Sequence, residues 1–320
     1  MTITRRQFGI LSAGALGSSL TRSLWAREAP SPSPDRYFYF AVIADTHIID
    51  TFYHGHESNA EDTESLQHSA ANLISARTLI NSLDPPIEKV FLVGDYFHNY
   101  PSPDYDFYFK NTTRLDNAKA ITDGFKMPVH VGLGNHDYGV PDVSREMSHR
   151  LFEAKFHIRP YYTLQHKGYK FIHLNNFLGS TWGPASTPMS RAEGSLGEEQ
   201  LHWFEAELEE GKPSFVFIHY PLWLVSPAEV ADYGLHPLIR KHSETIQLVV
   251  SGHWHKWVDF AHTYGPQHYV IAATRYDPNA YMLIEVDRKQ GTWRFLNQSL
   301  IEWSTHYSRP YTHSGFQAPA

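Results

Sequence analysis

The chain has 320 residues, 42% of them hydrophobic, enough to bury a core in one large domain or two smaller ones and too many for a disordered chain. With no cysteine it has no disulfide framework, zinc–thiolate site or cysteine nucleophile, so any metal must sit on nitrogen and oxygen, which 21 His and 34 Asp plus Glu supply. The formal charge of −7 argues against a broad electrostatic footprint for nucleic acid or anionic membrane, although a metal site can still attract phosphate locally.

In chain order, the first thirty residues read as an address rather than a fold. Thr4-Arg5-Arg6-Gln7-Phe8 precedes an apolar stretch diluted by Gly, Ala and Ser from Gly9 to Leu20. This resembles a twin-arginine export signal. The stretch is too short for a membrane span, which needs about 20 mostly apolar residues. The resemblance implies passage through the twin-arginine export machinery as a folded protein with its metal loaded, and a periplasmic or otherwise exported location. The expected organisation is a signal over residues 1–29, a Pro- and Ser-rich linker over 30–35 and one folded domain over 36–320.

Tyr37 to Ile43 reads as the first strand, with Asp45 and His47 just beyond it. The polar segment Ile48 to Glu64, containing His54 and His56, is longer than an ordinary connection of about 2–6 residues. It is either a substrate-facing loop or a solvated insertion. Leu66, Ala70, Leu73, Ala76, Ile80 and Leu83 recur at helical spacing until Pro85 and Pro86 stop them. Val90 to Val93 is the second strand and delivers Asp95, after which Pro101 and Pro103 make Tyr96 to Tyr108 a loop. A helix over Asn111 to Phe125 and a strand over Val129 to Leu133 follow. This β, α, β, α, β order predicts a doubly wound sheet with helices on both faces.

Beyond Asp137 the sequence predicts a helix from about Val143 to Phe156, then two strands, Tyr161 to Leu164 and Tyr169 to Asn175, close enough to pair antiparallel. Phe177 to Arg191 is a loop with room to cover a site. Ser195 and Glu198 have capping-box spacing ahead of a helix through Leu201, Phe204 and Leu208, which Gly211 and Pro213 terminate. Strands at Phe215 to Ile218 and Leu248 to Val250 follow. Short β-like runs at Trp257 to Ala261, His268 to Ala272, Tyr281 to Val286 and Trp293 to Leu296 predict a second, antiparallel-rich sheet.

Five of these strands end in residues that can bind metal: Asp45 and His47; Asp95; Asn135, followed by His136 and Asp137; His219; and His253 and His255, seven donors without His136 and Asp137. Ligands gather outside the carboxyl ends of strands in α/β sheets, so the five ends predict one shared site. Carboxylate, imidazole and amide donors suit Mn, Fe, Zn or Ni. Seven donors exceed the needs of one tetrahedral ion, which makes two ions the better count. Two ions can clamp both the attacking and leaving oxygens of an in-line displacement at phosphorus.

Taken in order, Asp45-x-His47, Gly94-Asp95, Gly134-Asn135-His136-Asp137, His219 and Gly252-His253-x-His255 resemble the signature of the calcineurin-like metallophosphoesterases, over roughly Phe40 to Trp257. The resemblance implies a four-layer α/β/β/α sandwich of two mixed sheets flanked by helices. It also implies a dinuclear phosphoester hydrolase, phosphatase or phosphodiesterase, in which a hydroxide bridging the two ions attacks phosphorus in line. By the same resemblance Asp45, His47 and His255 hold one divalent or mixed-valence first-row ion, Asn135, His219 and His253 the other, and Asp95 bridges them. His136 assists the leaving group, and Asp137 accepts a hydrogen bond that orients it. Gly94-Asp95-Tyr96-Phe97-His98 resembles the corresponding motif of Mre11-type nucleases, where a histidine approaches the scissile phosphate; here His98 is either such a contact or a packed loop histidine.

The expected substrate is a small phosphoester. A nuclease, or a metal- or phosphate-binding protein without turnover, are the alternatives. His130 and His173 fall inside strands and read as core or surface positions. Trp182, Trp223 and Trp254 either wall a pocket or pack. Arg275 either meets phosphate or forms a structural ion pair, the pair being the expected reading.

Overall fold

Alternation along one strand sets the architecture. In Tyr37–Ile43 (β1) every residue but the first is buried, so both faces of the strand need cover. Phe38, Phe40 and Val42 join one hydrophobic cluster, and Tyr39, Ala41 and Ile43 another. The computed structural model describes residues 35–306 except His56 and Asp232; the twin-arginine reading of residues 1–29 lies outside them.

After β1 come α1 (Ala60–Ile80), β2 (Lys89–Val93), α2 (Phe107–Lys110), α3 (Arg114–Thr122), β3 (Val129–Gly132) and α4 (Arg145–Phe156). Then follow β4 (Tyr162–His166), β5 (Tyr169–Leu174), α5 (Glu198–Glu209), β6 (Ser214–Ile218), α6 (Leu235–Lys241) and β7 (Ile246–Ser251). The chain continues through β8 (Val258–Asp259), β9 (His268–Val270), β10 (Tyr281–Asp287), β11 (Thr292–Phe295) and β12 (Thr305–His306). One sheet has the order β11-β10-β1-β2-β3 and the other β12-β8-β9-β7-β6-β5-β4. Both mix parallel and antiparallel pairs.

Three cores make four layers. Leu73, Ala76 and Ile80 of α1, Leu115 and Ala118 of α3 and Leu151 and Phe152 of α4 cover the outer face of the first sheet. Leu201, Phe204 and Leu208 of α5 with Leu235, Leu238 and Ile239 of α6 cover the second. Between the sheets lie Phe40, Phe91, Phe171, Phe215 and Phe217. Phe91 stacks offset between Phe171 and Phe217, with centroids 4.7 and 4.6 Å away. The expected four-layer sandwich is the fold, and among the described residues no helix is long and apolar enough to cross a membrane.

Four sequence expectations are corrected here. The doubly wound reading put helices on both faces of one sheet, but the second face of each sheet is covered by the other sheet. The late strands do not form a sheet of their own: β8 and β9 extend the second sheet beside β7, while the β10–β11 hairpin closes the free edge of β1. Met282, Ile284 and Val286 on β10 supply the inter-sheet core, which fixes that placement. The segment Ile48 to Glu64 is a loop only to Asn59, whose side chain caps α1 by accepting the Asp62 N–H at 2.8 Å. The Ser195 capping box does not form either. α5 starts after Gly197, Ser195 Oγ bonds Thr181 Oγ1 at 2.8 Å, and Glu229 Oε1 takes the Leu196 and Gly197 N–H groups at 2.8 and 3.0 Å.

Candidate metal centre

The donors stand at strand ends: Asp45 and His47 after β1, Asp95 after β2, Asn135 in a short turn after β3, His219 after β6, and His253 and His255 after β7. The loops that carry them are laced together. Asp45 N–H donates to Gly94 O at 3.1 Å, His47 N–H to Asp95 O at 2.9 Å and Gly252 N–H to His219 O at 3.0 Å. Nine non-glycine residues among those described have positive φ, and five are Asp45, His47, Asp95, His253 and His255. Each such residue costs about 1–3 kcal/mol and persists only where its surroundings over-determine it, as the lacing does. Gly94 sits at φ +77, and a side chain there would strike the His219 ring, so glycine is required on both counts.

All seven expected donors meet in two overlapping groups. Atoms of Asp45, His47, Asp95 and His255 lie within 4.8 Å of one another, as do atoms of Asp95, His219 and His253. Asn135 Oδ1 joins the second group, 3.0 Å from His219 Nε2 and 2.9 Å from His253 Nδ1. Asp95 Oδ2 is common to both, 3.4 Å from His47 Nε2 and 3.2 Å from His219 Nε2. The chemistry of the donor set tests its fit to metal. His219 Nδ1 donates to Val93 O at 3.0 Å, so Nε2 turns a lone pair toward the oxygens of Asp95 and Asn135. Acceptors facing acceptors require a cation. His47 Nε2 and His255 Nε2, 3.3 Å apart, make the same demand. Two donors on one ion at about 2.1 Å stand about 3.0–3.4 Å apart, which these separations match.

Electrostatics keep His47, His253 and Asp95 in ligating form. Burial, with neighbouring imidazoles adding to it, holds His47 and His253 well below the ordinary histidine value and so neutral. Burial works to raise the Asp95 carboxyl, but His219, His136 and His47 hold it well below the usual range. For His219 burial lowers the pKa and Asp95 and Asp45 outweigh it, lifting it to about 9: without another cation nearby, Asp95 recruits a proton.

The residues around the donors depart from expectation in two places. Asp137 does not orient His136; its carboxylate accepts backbone N–H groups from Gly134 at 2.8 Å, Tyr96 at 3.1 Å and Phe97 at 3.3 Å, tying the Asp95 loop to the Asn135 turn. The partner of His136 Nδ1 is Asn99 Oδ1 at 2.9 Å. Asn99, itself at positive φ, was not singled out in the sequence; its place directly after His98 was the one available signal. His98 is 1% exposed and both its ring nitrogens are engaged. Nε2 meets Glu57 Oε1 at 3.1 Å, so it carries the proton, and Nδ1 accepts from His47 Nδ1 at 3.1 Å. His98 therefore fixes the His47 tautomer that points Nε2 at the metal position, and is a positioning residue rather than a substrate contact. Glu57, also held by Tyr53 Oη at 2.8 Å, belongs to the loop after β1, so that loop is anchored to the site and is no loose insertion.

Of the three tryptophans, Trp182 packs on Phe177 and Trp223 on Phe260, and both are buried. Trp254, between His253 and His255, is 43% exposed and meets the Trp223 ring edge-on at 5.5 Å. The half-buried His130 stacks on Phe91, and the buried His173 lies tilted against the same ring, as packed positions do. Arg275 makes no ion pair among the described residues, contrary to the expected reading. Nε donates to Ser65 Oγ at 2.8 Å, Nη2 to Asp62 O at 2.9 Å, and the guanidinium lies 4.7 Å from the Tyr276 ring centre. Its charge helps hold His98 and His136 low, which puts it within electrostatic reach of the centre.

A sequence model described as calcineurin-like phosphoesterase matches residues 38–257. Among solved structures, a dimetal phosphatase from Danio rerio is 18% identical with a TM-score of 0.55, over 77% of this chain and 92% of that one. The GAP50 anchor of the Plasmodium inner membrane complex is 14% identical with a TM-score of 0.49, over 84% and 91%. Purple acid phosphatase PPD1 from yellow lupin, Lupinus luteus, is 13% identical with a TM-score of 0.48, over 88% and 56%. No curated protein matches the chain in sequence.

Proposed function

We propose, for a chain that belongs to the calcineurin-like phosphoesterase family and is a phosphoester hydrolase, that hydrolysis takes place at a dinuclear centre bridged by Asp95. Asp45, His47 and His255 would hold one ion, and Asn135, His219 and His253 the other. The observation that carries this reading is the single Asp95 oxygen shared by two groups of lone pairs that face one another. When bound, such a pair of ions supplies charge to the phosphoryl oxygens and acidifies water to near-neutral pKa. The chain does the rest. Asp95, held ionised, anchors both halves, and the Asp137 carboxylate clamps the loops that carry Asp95 and Asn135. His136 donates Nδ1–H to Asn99, which leaves the Nε2 lone pair of the neutral ring as the acceptor that would take up a proton at the centre and pass it to the departing oxygen. The Arg275 guanidinium adds positive charge beside the centre.

A small phosphomonoester or phosphodiester is the proposed substrate class. His98, buried and engaged on both nitrogens, cannot approach a phosphate, and this removes the feature that favoured a nuclease. The test is hydrolysis of a chromogenic monoester and the matching diester by metal-loaded protein, with Asp95→Ala as control. Turnover that disappears in the variant supports the reading. Firmly bound metal without turnover of either ester would move it to a binding protein. Export is proposed on Arg5 and Arg6. Replacing both by Lys should strand the protein in the cytoplasm, and unchanged periplasmic yield would refute that part.

A further inference from the structure

Between α4, the start of β4 and α5 lies a cavity of about 700 Å³ whose lining includes Arg145, His149, Arg159, Tyr161, Leu178 and Trp203. None of the residues placed at the metal centre lines it. Its polar groups are sorted by sign. Arg145 Nη1 is used on the Phe177 carbonyl at 3.1 Å and on the two carbonyls after it, while Nε and Nη2 make no hydrogen bond among the described residues. Arg159 is exposed and makes none at all among them. The tautomer of His149 follows from its neighbours. Asn175 Nδ2 donates to Tyr138 Oη at 2.7 Å, so the Tyr138 proton goes to His149 Nε2 at 2.8 Å and Nδ1 must carry the ring hydrogen. Burial first, and Arg145 second, lower the His149 pKa to about 4, which keeps the ring neutral. Unspent donors therefore come from three side chains.

The acids of the lining are already engaged. Glu207 Oε2 accepts the buried Lys170 Nζ at 2.7 Å, and Glu199 Oε1 accepts Tyr161 Oη at 3.0 Å. Two guanidinium groups thus stand against one carboxylate that lacks a cationic partner. One wall is aromatic, with the Tyr161 and Trp203 rings 4.8 Å apart, and Leu178 adds apolar surface. An aromatic wall beside unspent donors is complementary to a planar ring bearing an anionic group.

We infer that this groove is a second binding site, for an aromatic anion whose ring lies against Tyr161 and Trp203 and whose phosphate, sulfonate or carboxylate is held by Arg145, Arg159 and His149 Nδ1–H. The site stands independently of the metal centre. The test uses naphthalene-1-sulfonate, which has no phosphoester bond to hydrolyse, titrated calorimetrically into the metal-loaded full chain. Saturable binding is expected, weakened about tenfold or more by Arg159→Glu and by Trp203→Leu, and recovered in Trp203→Phe. Uncharged naphthalene-1-methanol should bind about tenfold more weakly than the sulfonate. Both variants should hydrolyse a chromogenic phosphoester at the wild-type rate. Arg159 is exposed, so its substitution tests the site without disturbing the fold. No saturable binding at millimolar probe, or binding that Arg159→Glu leaves unchanged, overturns the inference.

Discussion

The two halves of the proposed metal centre are held by different means. In the first, His47 is oriented by side chains alone, through His98 to Glu57 on a loop. In the second, His219 is oriented by the Val93 carbonyl, part of the backbone of β2. A backbone carbonyl cannot be removed by point substitution, whereas a relay of side chains can be cut at either link. The first half is therefore the adjustable one. The same contrast separates Asp137, which clamps backbone, from Asn99, which reaches His136 by an amide alone.

The largest effect short of losing the metal should come from His136→Ala, which removes the proton-holding group and should cost about 10²–10⁴ in kcat with both ions retained, by kinetics and metal analysis in parallel. Asn99→Ala should reproduce a smaller part of that loss with metal content again unchanged. Metal loss in either variant would place His136 among the ligands instead. Next in size, His98→Ala and Glu57→Gln should each weaken one ion by about 10–100-fold and leave the other, so titration should change from two similar steps to two separated ones. Equal weakening of both ions would erase the distinction between the halves.

The smallest effect concerns the metal-free protein. The pKa of His219 is raised in the fold, so the stabilisation from its proton is complete below the ordinary histidine value of about 6.5 and is lost as pH rises through about 9. The melting temperature of chelator-treated protein should fall across that window, and His219→Gln should flatten the fall. Metal binding near pH 7 should release a proton, visible as a buffer-dependent heat. A profile identical in wild type and variant would show that Asp95 recruits no proton there.

The donors were legible because each follows an apolar run that can only be a strand, and a strand fixes where its end points. The α1, α3 and α4 helices were legible from their spacing to within a few residues. Long-range partnerships were not. Glu57 meets His98 from a polar segment without periodicity, and Glu229 holds the Leu196 and Gly197 N–H groups just ahead of α5 from a turn that comes after the helix. Asp137 looked like an orienting acid because it neighbours His136, yet successive side chains in a tight turn point apart and its carboxylate faces backbone. The β10–β11 hairpin carried an unmistakable strand pattern, but alternation does not say which sheet a strand joins; only the open edge of β1 and the inter-sheet core decide that.

The central claim is that one carboxylate unites two ions. Metal content per chain, measured by elemental analysis after reconstitution and gel filtration, tests it most directly in wild type and Asp95→Ala side by side. The account predicts two ions per chain in the wild type and loss of both in the variant. A wild type that saturates with one ion, or a variant that keeps two, would contradict it.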